Sequence, residues 1–555
     1  MRSRLISNGL KWLASERTRS LLNPSSGFAS RFRTGDLQSV VLSERQRRLY
    51  DDSGLIFPSF IFKTFSSEAL AGKKVQSPSP KSGANKLKRE LFRQKHSEGK
   101  MITALEMWAG EGKKLNKAEL LFIVRKLRKF GKFQRALQIS EWMQKCKDFE
   151  FVSGDHAIHM DLIAKVHSVA RVEKYFADLP ENARGVETHN SLLHCYVRKQ
   201  LIEKAEQQFK KIKELGLATN EHAYNEMMTL YMSIGQADKV LLEIKHMKEM
   251  NVLPDWQTYN LWMSACSSLS DDIDEVEKIM DELKAGGENN IHWTTYSTLA
   301  NIYIDAGVVS KAEAAVKEAE KRIPQRYNDA YNSLITLYGA LGDKEGVHRI
   351  WQSLKKIFRR PLFSNYISVL SSLVKVGDIE GAEKTFQEWE SFNPAINCKL
   401  SNILLDAYIK KGMLEKAEIF QGHVLEKNCV LNGRSWEILT EGYLECKQMS
   451  KAILSMKEAL TKGKSEEWQP KSENVTGLVK HFEEQGNVED AEEFLKLVRR
   501  FKCLTTEIYN LLLLTYVKAG KAAPKVLEEM AKDNVSPDEE TDRLLKIVNE
   551  EGLND

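Results

Sequence analysis

From residue 117 to residue 538 the chain is a succession of short stretches in which apolar residues recur every three or four positions. That is the spacing of one face of an α-helix. The stretches are also copies of one another. EHAYNEMMTLYMSIGQADKV begins at Glu221, NDAYNSLITLYGALGDKEGV at Asn328, CKLSNILLDAYIKKGMLEKA at Cys398 and TEIYNLLLLTYVKAG at Thr506. Aligned on these, repeats start at residues 117, 153, 186, 221, 256, 293, 328, 363, 398, 433, 472 and 506. Six of the eleven spacings are 35 and the others run from 33 to 39. One array therefore replaces the three or four domains that 555 residues would otherwise suggest. Strand patterns are absent from it.

Each repeat predicts a helical hairpin. The first amphipathic pattern stops at a glycine in most copies: Gly131, Gly235, Gly307, Gly342, Gly377, Gly412, Gly486 and Gly520. A chain leaving a helix commonly turns through the left-handed conformation, which glycine adopts without a Cβ clash. Five residues on stands a small residue: Ala136, Val172, Ala205, Val240, Ala312, Val347, Ala382, Ala417, Ala452 or Ala491. A small side chain at a fixed place lets two helices approach closely. Prolines at 254, 324, 361, 394, 470 and 537 close repeats, since proline lacks the N–H that a continuing helix needs. A lone hairpin cannot bury its apolar face, so the repeats must stack. The expected fold is all-α, a right-handed α-solenoid of about twelve helix hairpins, with a concave groove lined by the first helix of each. Residues 101–116 read as a leading helix, 117–538 as the array and 539–555 as a capping helix.

Charge adds a leader to this picture. The chain carries 82 Lys and Arg against 77 Asp and Glu, a formal +5. Residues 1–100 hold 20 basic and 8 acidic residues, leaving 62 and 69 for the rest, so the array side is net −7. Within residues 1–35 seven basic residues face one acid, Glu16, among scattered serines and apolar residues. This composition predicts an organellar transit peptide, mitochondrial by its dense Arg, with chloroplast as the alternative. Residues 36–100, which include KKVQSPSPKSGANKLKRE from Lys73, read as a disordered basic linker. No apolar run approaches the ~18–20 residues of a membrane span. Seven cysteines, none closer than 17 apart, exclude a CxxC metal knuckle and argue against a disulfide framework.

The repeats resemble pentatricopeptide repeats of the plain P-type found in plant organelles. The resemblance rests on the 35-residue period, Tyr-Asn near the start of the first helix and the glycine turn. It rests also on Lys-Ala-Glu in the second helix (Lys204-Ala205-Glu206, Lys311-Ala312-Glu313, Lys416-Ala417-Glu418) and on the ending Val-Leu-Pro-Asp at 252–255. It implies binding of single-stranded RNA, one base per repeat. In the family the base is read by the residue after the tyrosine together with the last residue of the repeat. Asn225 with Asp255, and Asn510 with Asp538, match the combination that favours uracil. Asn190 with Asn220, and Asn402 with Asn432, match a looser pyrimidine combination, so the implied ligand is pyrimidine-rich. For all of these asparagines helix capping or solvent exposure is the plain alternative.

Other pairs (Asn260 with His292, Ser297 with Tyr327, Asn332 with Leu362, Ile367 with Asn397, Glu437 with Lys471) fit no clear code. Where the family places an aliphatic residue that sandwiches the base, this chain has Glu187, His222, Gln257, Thr294, Asp329, Ser364, Lys399 and Arg434. Such polar residues weaken stacking. Eight residues after the base-reading position come Lys129, Arg198, Lys375, Lys410 and Lys518, where the family sets lysine against RNA phosphate. Cations in that last turn would also complement the helix dipole with no ligand present.

Enzymatic signals fail on inspection. Gly463-Lys464-Ser465 lacks the glycine a phosphate loop needs five residues earlier, where Glu458 stands. His156-x-x-His159 lacks the glutamate and spacing of a zinc-protease helix. His194 and Cys195, adjacent on a helix, point about 100° apart and cannot cooperate simply. The aromatic residues at the repeated position (Tyr224, Tyr259, Tyr296, Tyr331, Tyr366, Trp436, Tyr509) are expected to pack between helices. Neither catalysis, a cofactor nor a metal is expected. Two functions remain: an organellar RNA-binding adaptor for transcript stability, processing, splicing or translation, or a protein-interaction scaffold, for instance on an organellar ribosome.

Overall fold

The computed structural model describes residues 99–110, 116–146, 149–270, 273–287, 291–393, 397–427, 429–464 and 468–551. The expected leader at 1–35, the linker up to residue 98, Pro394 and Ser465 lie outside them. Among the described residues there are twenty-six α-helices, one 3₁₀ turn at Glu181–Ala183 and no strand. α1 (Gly99–Gly110) precedes the repeats, beginning two residues before the expected leading helix. The hairpins follow: α2 (Lys117–Lys129) with α3 (Phe133–Lys145), α4 (Ser153–Val166) with α5 (Val169–Ala177), α6 (Val186–Arg198) with α7 (Ile202–Glu214), and α8 (Glu221–Ser233) with α9 (Ala237–Glu249). Then come α10 (Trp256–Leu269) with α11 (Ile273–Ala285), α12 (Trp293–Asp305) with α13 (Val309–Arg322), α14 (Asn328–Leu341) with α15 (Lys344–Ile357), and α16 (Phe363–Lys375) with α17 (Ile379–Phe392). The last are α18 (Cys398–Lys410) with α19 (Leu414–Glu426), α20 (Gly433–Glu445) with α21 (Met449–Lys462), α22 (Ser472–Gln485) with α23 (Val488–Arg499), and α24 (Thr506–Ala519) with α25 (Val526–Lys532). α26 (Glu539–Glu551) follows in the place a further first helix would take. All twelve first helices begin at the residue the repeat spacing predicts.

The chain forms two compact units, one ending at Ala319 and the other Glu320–Asp555. In the first unit α4, α6, α8, α10 and α12 pack successively on one another, and the second helices fill the spaces behind them. In the second unit α14, α16, α18, α20, α22, α24 and α26 do the same. Each unit is thus an α-solenoid whose continuous layer is made of first helices. No helix among the described residues is long and apolar enough to cross a membrane. All seven cysteines are free thiols.

Local chemistry accounts for the punctuation. Gly342 ends α14 with φ 79° and ψ 10°, and its N–H bonds back to the Gly339 carbonyl, ending the helix in one residue. All the glycines predicted at this position have positive φ. Four repeats lack the glycine: Gln200 (φ 52°) and Lys447 (φ 56°) take the same left-handed turn, while His167 (φ −124°) and Ser270 (φ −141°) leave the helix in an extended conformation. At Gln200 and Lys447 the fold imposes the conformation on residues that resist it. All ten small residues five positions later are fully buried at 0 % exposure.

Neighbouring repeats are fastened by a recurring staple. Tyr196, Tyr231, Tyr303, Tyr408 and Tyr443 donate to Glu173, Glu206, Glu277, Glu383 and Glu418 of the preceding repeat at 2.9–3.3 Å. Lys204, Lys239, Lys311, Lys416 and Lys451 reach the same carboxylates at 2.5–2.8 Å. Each lysine also lies 5.0–5.9 Å from the ring centre of its own repeat's tyrosine. Tyr338 and Arg349 hold Glu320 in the same way. The Lys204 and Tyr196 hydrogen bonds keep the Glu173 carboxyl below the usual range, and Lys451 and Tyr443 do the same to Glu418. The Lys-Ala-Glu motif now has a physical reading. Its lysine reaches back one repeat, its alanine is buried, and its glutamate is held by the next repeat at Glu206 and Glu418, whereas after Glu313 the next repeat holds Glu320 instead.

Candidate nucleic-acid interface

The residue after the repeated tyrosine lies in the second turn of each first helix, and the last residue of the repeat is the N-cap of the following first helix. Helix geometry alone brings the two together. Asp255 caps α10, its Oδ1 accepting the Thr258 N–H at 2.8 Å and the Asn225 Nδ2 amide at 3.0 Å. The Thr258 hydroxyl lies 2.8 Å from Asn225 Oδ1. The same triad recurs at α26. Asn510 Nδ2 is 3.1 and 3.4 Å from the two oxygens of Asp538, and Thr541 bonds Asp538 through its N–H at 2.8 Å and Asn510 Oδ1 through its hydroxyl at 2.7 Å. The Thr541 N–H and the Asn510 amide hold the Asp538 carboxyl below the usual range.

Asn402 and Asn432 form a looser version, with Nδ2 to Oδ1 at 3.4 Å, Ser435 Oγ 2.7 Å from Asn402 Oδ1, and the Ser435 N–H on Asn432 at 2.9 Å. Asn190 and Asn220 are not brought together by a hydrogen bond. Asn220 caps α8 through the His222 N–H, while Asn190 is buried at 3 % exposure and its Oδ1 has no partner. The third residue of α8 is Ala223, which has no hydroxyl to offer. Asn332 Oδ1 accepts from Asn365 at 2.6 Å. Asn260 has the opposite arrangement, its Nδ2 donating to Thr294 at 3.3 Å and its Oδ1 standing without a partner.

The repeat beginning at residue 433 is closed. Glu437, 1 % exposed, accepts from the Lys471 N–H at 2.6 Å, Asn474 at 3.2 Å, Trp468 Nε1 at 3.0 Å and Arg434 at 2.8 Å. Arg434 in turn holds Glu441 at 2.7 Å and Asp406 at 3.4 Å. The two positions at which the resemblance implies base reading and base sandwiching, Glu437 and Arg434, are consumed by each other in this repeat.

The five expected phosphate contacts all lie exposed in the last turns of first helices. Two are already neutralised in the protein: Lys410 by Asp406 at 2.7 Å, and Lys518 by Glu483 of the preceding first helix at 2.8 Å. The repeated aromatics Tyr224, Tyr259, Tyr296, Tyr331, Tyr366 and Tyr509 are buried, as expected of packing residues, while Trp436 at the same position is half-buried.

Two features escape the sequence reading. The hydroxyls of Thr258, Ser435 and Thr541 belong to a legible pattern, an Asp or Asn cap followed three residues later by Ser or Thr, which closes a capping box. The other is a run of charge across α2, α4, α6 and α8. Asp161 lies between Arg128 and Lys165, and His194 Nδ1 is 3.0 Å from Glu226 Oε1. Burial alone would raise the Asp161 carboxyl, but Arg128 and Lys165 hold it below the usual range. Only the Asp161–Lys165 spacing of four residues signals this run in the sequence. Beside His194, burial pushes the Cys195 thiol up to about 11, so it remains protonated. His156 bonds the Tyr175 hydroxyl and His159 the Ser140 hydroxyl, both at 2.8 Å.

Family models for the PPR repeat match residues 187–217, 329–357, 364–393 and 401–429, and one for the pentatricopeptide repeat domain matches 209–268. A mitochondrial pentatricopeptide repeat-containing protein of Arabidopsis thaliana is 35% identical over 450 residues, covering 81% of this chain and 89% of that protein. The large ribosomal subunit protein mL101 (rPPR4) of the same plant is 36% identical over 464 residues, covering 83% and 94%. Among solved structures, the maize pentatricopeptide repeat protein PPR10 matches 86% of this chain and 71% of its own at 20% identity, with a TM-score of 0.39. The same maize protein in complex with an 18-nt psaJ RNA element matches with a TM-score of 0.31.

Proposed function

The chain belongs to the pentatricopeptide repeat family, and on that premise we propose that it binds single-stranded RNA along its first helices as an organellar adaptor. Two asparagine–aspartate pairs carry the reading. Asn225 with Asp255 and Asn510 with Asp538 stand where the family reads a base, and each pair is assembled by hydrogen bonds before any ligand arrives. A nucleobase meeting such a pair finds an ordered polar edge rather than a mobile side chain. The bound segment is short and pyrimidine-containing, because Glu437 closes one repeat and polar residues replace the aliphatic sandwich in others. Holding that segment single-stranded would shield it from nucleases and from competing RNA structure, in support of transcript stability, processing, splicing or translation. The adaptor performs no catalytic step itself. Mitochondrial names among its relatives, together with the Arg-rich leader, support a mitochondrial address, with the chloroplast as the alternative.

The test is binding of the full chain to pyrimidine-rich RNA across a salt series. Each phosphate contact adds about −0.7 to the slope of log K against log salt for a single strand. A shallow slope is expected, since Lys410 and Lys518 already have protein partners. Absence of affinity, or affinity unchanged in the Asn225→Ala, Asn510→Ala double variant, counts against base reading.

A second reading, a scaffold that binds protein on the organellar ribosome, is favoured by one observation. A relative of matching length is a large ribosomal subunit protein. The net −7 of the array side agrees with it. Co-sedimentation with organellar ribosomes, unaffected by the double variant, would support this reading instead.

A further inference from the structure

An asparagine amide has two faces of nearly equal shape and opposite chemistry, a carbonyl that accepts and an NH₂ that donates. Which face meets a base decides which base fits. We propose that Thr258, Ser435 and Thr541, each the third residue of the following first helix, are positioning residues that fix this choice. In doing so they select a nucleobase presenting a carbonyl oxygen over one presenting an exocyclic amine. The proposal rests on the RNA-binding reading above and deepens it.

Asp255 is a carboxylate and can only accept, so the face of Asn225 turned toward it is Nδ2, at 3.0 Å. Thr258 has one hydroxyl hydrogen and two oxygens at 2.8 Å, Asn225 Oδ1 and Asp255 Oδ1. The aspartate oxygen already accepts from the Thr258 N–H and from Asn225, whereas Asn225 Oδ1 has no other donor. The hydroxyl hydrogen therefore goes to the asparagine. The Asn225 carbonyl is spent, one amide hydrogen is spent on Asp255, and the second amide hydrogen has no acceptor among the described residues. What the triad still offers is a donor. Thr541 arranges Asn510 in the same way, with 2.7 Å to Oδ1.

Asn402 shows how much rests on the hydroxyl. Its partner is Asn432, a longer 3.4 Å contact, and the Ser435 hydroxyl is 2.7 Å from Asn402 Oδ1. Asn190 is the counter-example, since Ala223 stands at the third position and the Asn190 carbonyl is left buried without a partner. Its amide has no lock. A donor at the contact suits O4 of uracil and opposes the N4 amine of cytosine, so locked asparagines discriminate between pyrimidines and an unlocked one accepts either.

Selection from a randomised single-stranded RNA pool by the full-length chain tests this. Wild type is expected to enrich uridine over cytidine at discrete positions. The Thr258→Val, Thr541→Val double variant, in which a methyl replaces each hydroxyl, should cut that preference roughly three- to tenfold, the worth of one neutral hydrogen bond. Thr258→Ser with Thr541→Ser should restore it, because serine returns the hydroxyl. Ala223→Ser adds a hydroxyl beside Asn190 and should create uridine preference at one further position, a gain that loss of packing cannot mimic. The proposal falls if the valine variant keeps full uridine preference while Asn225→Ala with Asn510→Ala abolishes it, and base reading then still stands. If wild type enriches nothing, base reading fails and takes the proposal with it.

Discussion

The Tyr443 hydroxyl donates to Glu418 at 2.9 Å although the two residues belong to consecutive repeats, and Lys451 approaches the same carboxylate at 2.8 Å. Neutral donor and cation make unequal contributions. Tyr443 is buried, so Tyr443→Phe leaves its bond unmade in a partly dry setting and should cost about 1 kcal/mol. Lys451 is 55 % exposed, and Lys451→Met should change stability by no more than about 0.5 kcal/mol. Urea unfolding of the two variants side by side checks the ranking, and equal losses would refute it.

Lys447 is exposed and holds φ at 56° where most repeats have glycine. A side chain in the left-handed region costs roughly 1–2 kcal/mol, against about 0.5–1 kcal/mol for the extra chain entropy of glycine. Lys447→Gly should therefore raise the melting temperature slightly. Gly342→Ala, at φ 79°, should lower it. A fall with Lys447→Gly would show that its side chain contributes something the geometry does not reveal.

His159 carries an acid sensitivity. Burial lowers its pKa from 6.5 to about 4, and the neutral ring bonds Ser140. The folded state then binds fewer protons than the unfolded chain below pH 6.5. Stability should be complete above that value, decline as pH falls toward about 4, and flatten beneath it for this residue. The full span is worth on the order of 2–3 kcal/mol. Melting temperatures measured between pH 7 and 4 should fall less steeply for His159→Gln than for wild type.

Glu437 is a structural carboxylate at a base-reading position. Glu437→Ala removes the acceptor of the Lys471 N–H, Asn474 and Trp468 Nε1 while Arg434 keeps Glu441 and Asp406, and should cost about 1–3 kcal/mol. Glu437→Gln keeps the shape and part of the bonding, and should cost less. Selected RNA sequences should be the same for Glu437→Gln and wild type, since this repeat offers no open edge; a shifted preference would reopen it as a reader.

Much of this architecture is legible in the sequence because it is written twelve times. A single Asn or Lys says little, but Tyr-Asn, glycine and Lys-Ala-Glu recurring in step fix each first helix to its starting residue, from Lys117 to Thr506. The legible part of the site is that which helix geometry alone brings together, such as Asn225 and the cap Asp255. What is lost concerns partners chosen by packing across repeats. That Lys410 and Lys518 are already neutralised depends on how far Asp406 and Glu483 reach, and that Glu437 is sealed depends on Trp468 folding over it. Asn190 and Asn220 stand at the same two positions as Asn225 and Asp255, yet Asn220 accepts the His222 N–H instead, which the sequence does not signal.

In every staple the carboxylate comes from the earlier repeat and the hydroxyl and cation from the later one. The array therefore has a chemical direction, and the stapled seams are cut to one pattern. Removing residues 398–432 would take out Tyr408, Lys416 and Glu418 together, and bring Glu383 to the same register as Tyr443 and Lys451. A cut of another length would leave Glu383 out of register with Tyr443 and Lys451. The array can thus be shortened here by one whole repeat of 35 residues, with the seam itself acting as the ruler.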